Sequence, residues 1–182
     1  MKTFIMKRTL NLLICILTFN VMLMMIVSCS KSQNKTNIKM EIQLRDQLIT
    51  STTDFFRLLE ERDMEKWIDL WAEDGIDRKP YATGMFPEEI VGREAVYDAW
   101  KGITEVFDSV SFPIHEFIVD EESRTVAVRL DGKGLMKNGN LYQNTYIFLV
   151  HYNKDLKIKE CYEYFNPYVA GKAFGTLDKL KY

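Results

Sequence analysis

Cysteine is scarce in this chain. Of three in 182 residues, Cys15 and Cys29 fall in or at the end of an apolar N-terminal segment, which leaves Cys161 alone. A disulfide framework is therefore excluded. Histidine is rarer still: His115 and His151 are the only two, and no Cys/His spacing of a metal site is present. There is no glycine-rich phosphate loop and no recognisable nucleophile triad. No metal and no cofactor is expected on these grounds. Basic clusters are missing too. Without its first 29 residues the chain has 21 Lys and Arg against 26 Asp and Glu, about −5. Such a balance argues against a nucleic-acid partner.

What is present begins with an address. Lys2, Lys7 and Arg8 precede an apolar run from Leu10 to Val27, broken only by Asn11, Thr18 and Asn20, and no acidic residue occurs before Cys29. A positive segment, an apolar segment and a small residue before a cut describe a secretory signal, for which Met6 offers a second start. Ile26-Val27-Ser28-Cys29 looks like a bacterial lipobox, in which Cys29 is lipidated and becomes the mature N-terminus. A single membrane-spanning anchor is the alternative, since 18 mostly apolar residues are marginally long enough. Either reading places the domain outside the cytoplasm, in the cell envelope, attached to the membrane. Residues 1–29 are thus a signal, 30–38 a polar tether, 39–176 the domain and 177–182 a C-terminal tail.

The domain reads as helices first and strands after. Leu44, Leu48, Phe55, Phe56 and Leu59 recur at helical spacing. Asp63 is placed to cap a second helix carrying Trp67, Leu70 and Trp71, which Gly75 would end. Ile76–Tyr81 reads as a short strand. Gly92 opens the clearest helix, with Ala95, Val96, Ala99, Trp100, Ile103, Val106 and Phe107 in one apolar stripe. Four strands follow: Val110–Asp120 around Pro113, Arg124–Lys137, Tyr142–Tyr152 and Ile158–Asn166. Asn138-Gly139 predicts a type I′ hairpin with positive φ at both positions. The order is α+β, a cone-shaped, curved antiparallel sheet packed against N-terminal helices, with a pocket at the open end.

One residue stands out inside it. Glu163 lies mid-strand among Cys161, Tyr162, Tyr164 and Phe165, where an unpaired carboxylate is costly to bury. Alternation puts Tyr142, Asn144, Tyr146 and Phe148 on one face of their strand, and Cys161, Glu163 and Phe165 on one face of the next. Candidate pocket residues are Tyr81, Trp100, Asp131, Asn144, Tyr146 and Phe165, with Glu163 as the catalytic candidate. Two readings of Glu163 stand side by side: a pocket acid/base with a raised pKa, and a structural carboxylate satisfied by Tyr and Asn donors. Tyr146 is either an oxyanion donor or a packed, satisfied phenol. Asp74 and Asp77 flank a turn and read as turn chemistry.

Four stretches in order, Leu70–Gly75, Val91–Ala95, Tyr142–Phe148 and Glu163–Pro167 with Ala173-Phe174-Gly175 behind them, resemble the nuclear transport factor 2-like superfamily. The closest look is to its polyketide-cyclase-like (SnoaL-type) and phenazine-biosynthesis A/B branch. The resemblance covers about Met40–Gly175 and implies a cone with a pocket between sheet and helices, often in a dimer. It also implies carboxylate-driven proton transfer in the catalytic members. In the phenazine branch a last-strand Glu is the acid/base, and it aligns with Glu163. That branch also carries a His in the third helix, where this chain has Tyr97-Asp98-Ala99-Trp100. Three functions are compatible with these residues: a lipid-anchored protein binding a small apolar or aromatic molecule, a proton-transfer isomerase, cyclase or hydro-lyase, and a dimerising interaction module.

Overall fold

A computed structural model of the protein describes residues 38–82 and 84–180. The signal, Cys29 and nearly all of the expected tether lie outside the described residues, as do the last two of the tail. No described helix is long and apolar enough to cross a membrane. The chain divides into two units after Gln43. Residues 38–43 are helical.

The second unit opens on α1, residues 44–61. Leu48, Thr52, Phe55, Phe56 and Leu59 are all buried, the three- and four-residue recurrence that gives a helix one packing face. Thr52, the polar member, donates to the Leu48 carbonyl at 2.9 Å and shares a hydrogen bond with the Tyr152 hydroxyl at 2.8 Å. Arg62 ends α1 with φ +60°. Asp63 then caps α2, Met64–Ile68, accepting from the Lys66 N–H at 3.2 Å.

The expected continuation of α2 through Trp71 is corrected here. Trp71 begins strand β1, Trp71–Arg78, and Gly75 lies within that strand. Trp67 and Trp71 do meet in one core, their ring centroids 5.6 Å apart. They do so across a turn at Asp69-Leu70, so their helical spacing reflects a shared destination and not a shared helix. A short strand β2, Glu89–Val91, pairs with β1, and Gly92 (φ +94°) starts α3, Arg93–Glu105.

Pro113 splits the next predicted strand into β3, Phe107–Ser111, and β4, Ile114–Asp120. Both pair with β5, Thr125–Met136. β6, Leu141–Tyr152, and β7, Ile158–Tyr164, complete the antiparallel meander. Helix α4, Pro167–Phe174, closes the domain, capped by the Asn166 side chain and ended by Gly175 at φ +69°. The sheet order is β2-β1-β7-β6-β5-β3, with β4 also on β5. The α+β cone is thus present, but its sheet has seven strands and is mixed. β1 runs parallel to β7, a pairing across some eighty residues that no hairpin pattern announces.

The β5–β6 turn sits where Asn138-Gly139 places it, in another geometry. Gly139 alone of the pair has positive φ, +85°. The Gly139 N–H donates to the Met136 carbonyl at 2.8 Å and the Met136 N–H to the Asn140 carbonyl at 2.9 Å. This is a three-residue loop with glycine in the left-handed position, and not a type I′ turn.

Two glycines in β5 let aromatic rings lie flat on the strand. A Cβ on Gly132 would stand 2.7 Å from the Tyr146 ring, and one on Gly134 would stand 2.8 Å from both the Phe107 ring and the Ser109 carbonyl. Gly134→Ala is expected to destabilise the protein by about 1–3 kcal/mol through overpacking. Gly102→Ala, on the open side of α3 with nothing within 4 Å, is expected to stabilise by about 0.5–1 kcal/mol. Urea unfolding of both variants checks the pair.

Candidate functional site

The inner faces of β1, β6 and β7 carry the polar part of the core. On β7, alternation turns Cys161, Glu163 and Phe165 inward, all of them buried. On β6 the inward set is Tyr142, Asn144, Tyr146 and Phe148. The parallel register aligns Asp77 with Cys161 and Arg78 with Tyr162. One step further along brings Lys79 level with Glu163.

The consequence is a buried cluster of three charged side chains. The Lys79 ammonium bonds directly to Asp77 Oδ2, and both side chains are almost wholly buried. The Trp100 indole N–H donates to the same Asp77 oxygen at 3.0 Å, and Nζ lies 5.3 Å from the centre of the Trp100 ring. Lys79 Nζ stands 3.6 Å from Glu163 Oε2, too far for a good hydrogen bond. That oxygen is buried with no hydrogen-bond partner among the described residues, and so is Asp77 Oδ1.

Burial pushes the Glu163 carboxyl up to about 7; Lys79 opposes the rise and Asp77 adds to it. For Lys79, burial works against the charge, but Glu163 and Asp77 outweigh it and hold the ammonium above its ordinary value. Lys79 is therefore a cation and not a nucleophilic amine. Burial likewise drives the Cys161 thiol well up, which keeps it neutral.

Glu163 and Lys79 face a cavity, with about 50 Å³ open to the centre of a water-sized sphere, whose remaining wall is nearly all aromatic and aliphatic. Trp100 of α3, Phe107 of β3, Phe86 of the β1–β2 loop and Phe174 of α4 enclose it with Tyr142, Tyr146 and Phe165. The two phenols hydrogen-bond to one another, and Asn144 Nδ2 donates to Tyr142 Oη at 3.2 Å. Two phenolic protons serve one mutual bond, so one O–H is left without a protein acceptor among the described residues. Burial raises Tyr142 to about 12 and Tyr146 well above its ordinary value. Both stay protonated as donors.

Of the residues selected from sequence, Glu163, Trp100, Tyr146 and Phe165 line this cavity. Three are corrected. Tyr81 is exposed and packs on Tyr164, 5.8 Å between centroids, because the Lys79–Ala82 turn carries it to the outer side. Asp131 lies on the outer face of β5, opposite in phase to Val126, Val128 and Leu130, bound to His115 Nε2 at 3.1 Å and Thr145 Oγ1 at 3.1 Å. Asn144 points inward but is spent. Its amide donates to Tyr142 Oη and to the Asn166 carbonyl at 3.0 Å, and its oxygen accepts from the Asn166 and Thr145 N–H groups. Every hydrogen-bonding position of the side chain is filled, and what it does is tie the start of α4 to β6.

The sequence reading does not find Lys79, and it assigns Asp77 to turn chemistry. The signal was available: residues two apart in a strand share a face, so Asp77 and Lys79 enter the core together, and a buried Glu163 needs a cation nearby.

Sequence and structure comparisons agree with this architecture. The family described as SnoaL-like domain matches residues 52–161. The protein YesE from Bacillus subtilis (strain 168) is 30% identical over 122 residues, covering 66% of this chain and 82% of YesE. A crystal structure from Bacillus subtilis, of a protein provisionally described as an isomerase, matches with TM-score 0.65 and 27% identity over 73% of this chain and 96% of that one. A phenazine biosynthesis-related protein from Pseudomonas aeruginosa matches with TM-score 0.63 and 19% identity, over 74% and 85% respectively, and shows the shared fold alone.

The raised Glu163 carboxyl has a thermodynamic signature. With an ordinary value of 4.5 and a folded value of about 7, the native state holds a proton that the unfolded chain has lost. The associated stability is fully present below about pH 4.5 and is lost as pH rises through 7. Glu163→Gln, which cannot ionise, is expected to gain about 3 kcal/mol over wild type between about pH 4 and about pH 8. Urea unfolding of both proteins at the two pH values measures it.

Proposed function

This chain belongs to the SnoaL-like family, and we propose that its cavity takes up one small apolar or aromatic molecule bearing an acceptor oxygen, with which Glu163 exchanges a proton. The observation that carries this reading is the Glu163 carboxyl, buried at the cavity wall with an unpartnered oxygen and a pKa near 7. A general base works best when its pKa lies near the working pH. Among the described residues, Glu163 Oε2 has none of the Tyr and Asn donors that a purely structural carboxylate calls for.

The cavity supplies the other half of such chemistry. A carbonyl oxygen facing the phenols would accept the spare O–H of the Tyr142–Tyr146 pair. An adjacent C–H would face Glu163. Removal of that proton leaves an enolate whose oxygen the phenol stabilises where charge develops, and return of the proton to another carbon completes an isomerisation. Closure or elimination from the same enolate gives the cyclase and hydro-lyase variants. The isomerase description attached to the Bacillus subtilis structure supports this class.

The proposal includes an address: lipid on Cys29 holds the domain in the cell envelope. Cys29→Ser is expected to abolish incorporation of labelled palmitate into the protein, and equal labelling of wild type and variant would oppose the assignment.

Cyclohexanone, a neutral ketone of one ring, tests the chemistry. In D2O the protein is expected to accelerate exchange of its α-protons, read by proton NMR, with a rate that rises with pH through about 7 as Glu163 ionises. Glu163→Gln is expected to lower that rate by about 100-fold or more. Equal rates for wild type and variant at every pH would refute the assignment.

A further inference from the structure

The simplest account of the Asp77–Lys79 pair is that it fills the core. Its geometry says more. The ammonium is held from two sides, by Asp77 Oδ2 and by the face of Trp100, and Trp100 in turn donates to that same Asp77 oxygen. These contacts hold Nζ 3.6 Å from Glu163 Oε2. Glu163 Oε2 has no hydrogen-bond partner among the described residues. Among the described residues, Lys79 is the one cation within 4 Å of that oxygen.

The charges around the cavity can be counted. Lys79, just past the end of β1, and Glu163 of β7 line it, with Asp77 of β1 bonded to Lys79 and the neutral thiol of Cys161 on the same face of β7 as Glu163. β6 brings the protonated phenols of Tyr142 and Tyr146. The other described lining residues, from α3, α4, β3 and Phe86 of the β1–β2 loop, carry no charge. With Lys79 neutralised by Asp77, the cluster has no net charge when Glu163 is protonated and one negative charge when it is ionised. Neither state offers a free cation to a second anion in a wall of low polarity, where an unpaired charge is expensive.

We infer that Lys79 is a positioning residue, which its contacts with Asp77 and Trp100 fix so that it holds the Glu163 carboxyl at the cavity wall, and that the paired charges restrict the cavity to uncharged ligands. The inference rests on the proton-transfer reading of the same cavity and specifies its substrate class: a neutral carbonyl compound and not a carboxylic acid. Lys79 acts through Glu163 and need not touch the substrate.

The test follows the Glu163 carboxyl itself. The protein is labelled with 13C at the glutamate carboxyl carbons, the Glu163 resonance is assigned by its loss in Glu163→Gln, and its midpoint is read by NMR titration. Asp77→Asn removes a negative neighbour and frees the ammonium for Glu163, so the midpoint is expected to fall by about one pH unit or more, a tenfold change in proton affinity. Lys79→Met is expected to raise it by a similar amount, and Lys79→Arg to keep it within about half a unit of wild type. Opposed shifts from two neighbouring substitutions are not what loosened packing produces. If Lys79→Met does not fold, Asp77→Asn and Lys79→Arg still decide, because an unchanged midpoint in Asp77→Asn overturns the inference.

The ligand class is read on the same resonance with cyclohexanone and its anionic counterpart cyclohexanecarboxylate. At about pH 8 wild type is expected to bind the ketone at least about tenfold more tightly than the carboxylate, and Asp77→Asn, with its ammonium released, to narrow that ratio. Equal binding of the two by wild type overturns the restriction to uncharged ligands. A failure of proton exchange with normal titration shifts would instead count against the proposed chemistry and leave the Lys79–Glu163 coupling standing.

Discussion

A carboxylate buried among aromatic rings has few ways to exist. It can be neutral, it can be paired, or it can be compensated from a distance by charges that are themselves paired. Glu163 combines all three. Lys79 stands close enough to attract its charge but too far to satisfy it, Asp77 draws much of that ammonium to itself, and burial favours the proton. The result is a group balanced between its two states near neutral pH. Lys79 lowers and Asp77 raises its proton affinity, so the three residues act as one unit.

The fold is arranged to maintain this cluster. Parallel pairing of β1 with β7 brings Lys79 alongside Glu163. α3 presents Trp100 to both Asp77 and Lys79, and α4, tied down by the Asn144 amide, supplies Phe174 to the wall. The aromatic cluster of Phe55, Trp67, Trp71, Trp100 and Phe148 lies behind it and gives the polar group a rigid backing. Stability is given up at the cavity and recovered in the packing around it, as is common where a site needs a perturbed group.

Much of this was legible in the chain. Period-two alternation placed Glu163, Phe165, Tyr146 and Phe148 on the inner face, and the helical stripe placed Trp100 against the sheet. The meander followed from its turn residues. What alternation cannot convey is which distant strands lie side by side. Without the β1–β7 neighbour relation Asp77 looked like a turn residue and Lys79 like nothing in particular. Asp131 is a different case: its own strand pattern, with Val126, Val128 and Leu130 inward, already turned it outward. Asn144 shows a further limit, because facing inward does not reveal whether an amide's hydrogen bonds are free or already committed.

On the proton-transfer reading, an apolar ligand places its acceptor oxygen at the phenols and its C–H at Glu163. A crystal structure of the protein soaked with cyclohexanone addresses it most directly. The ring is expected inside the aromatic walls, its carbonyl oxygen within hydrogen-bonding distance of Tyr142 or Tyr146 Oη, and a ring methylene against the Glu163 carboxyl. A ketone seated with its oxygen away from both phenols and its methylenes away from Glu163, or a cavity that stays free of ketone at saturating concentration, would contradict it.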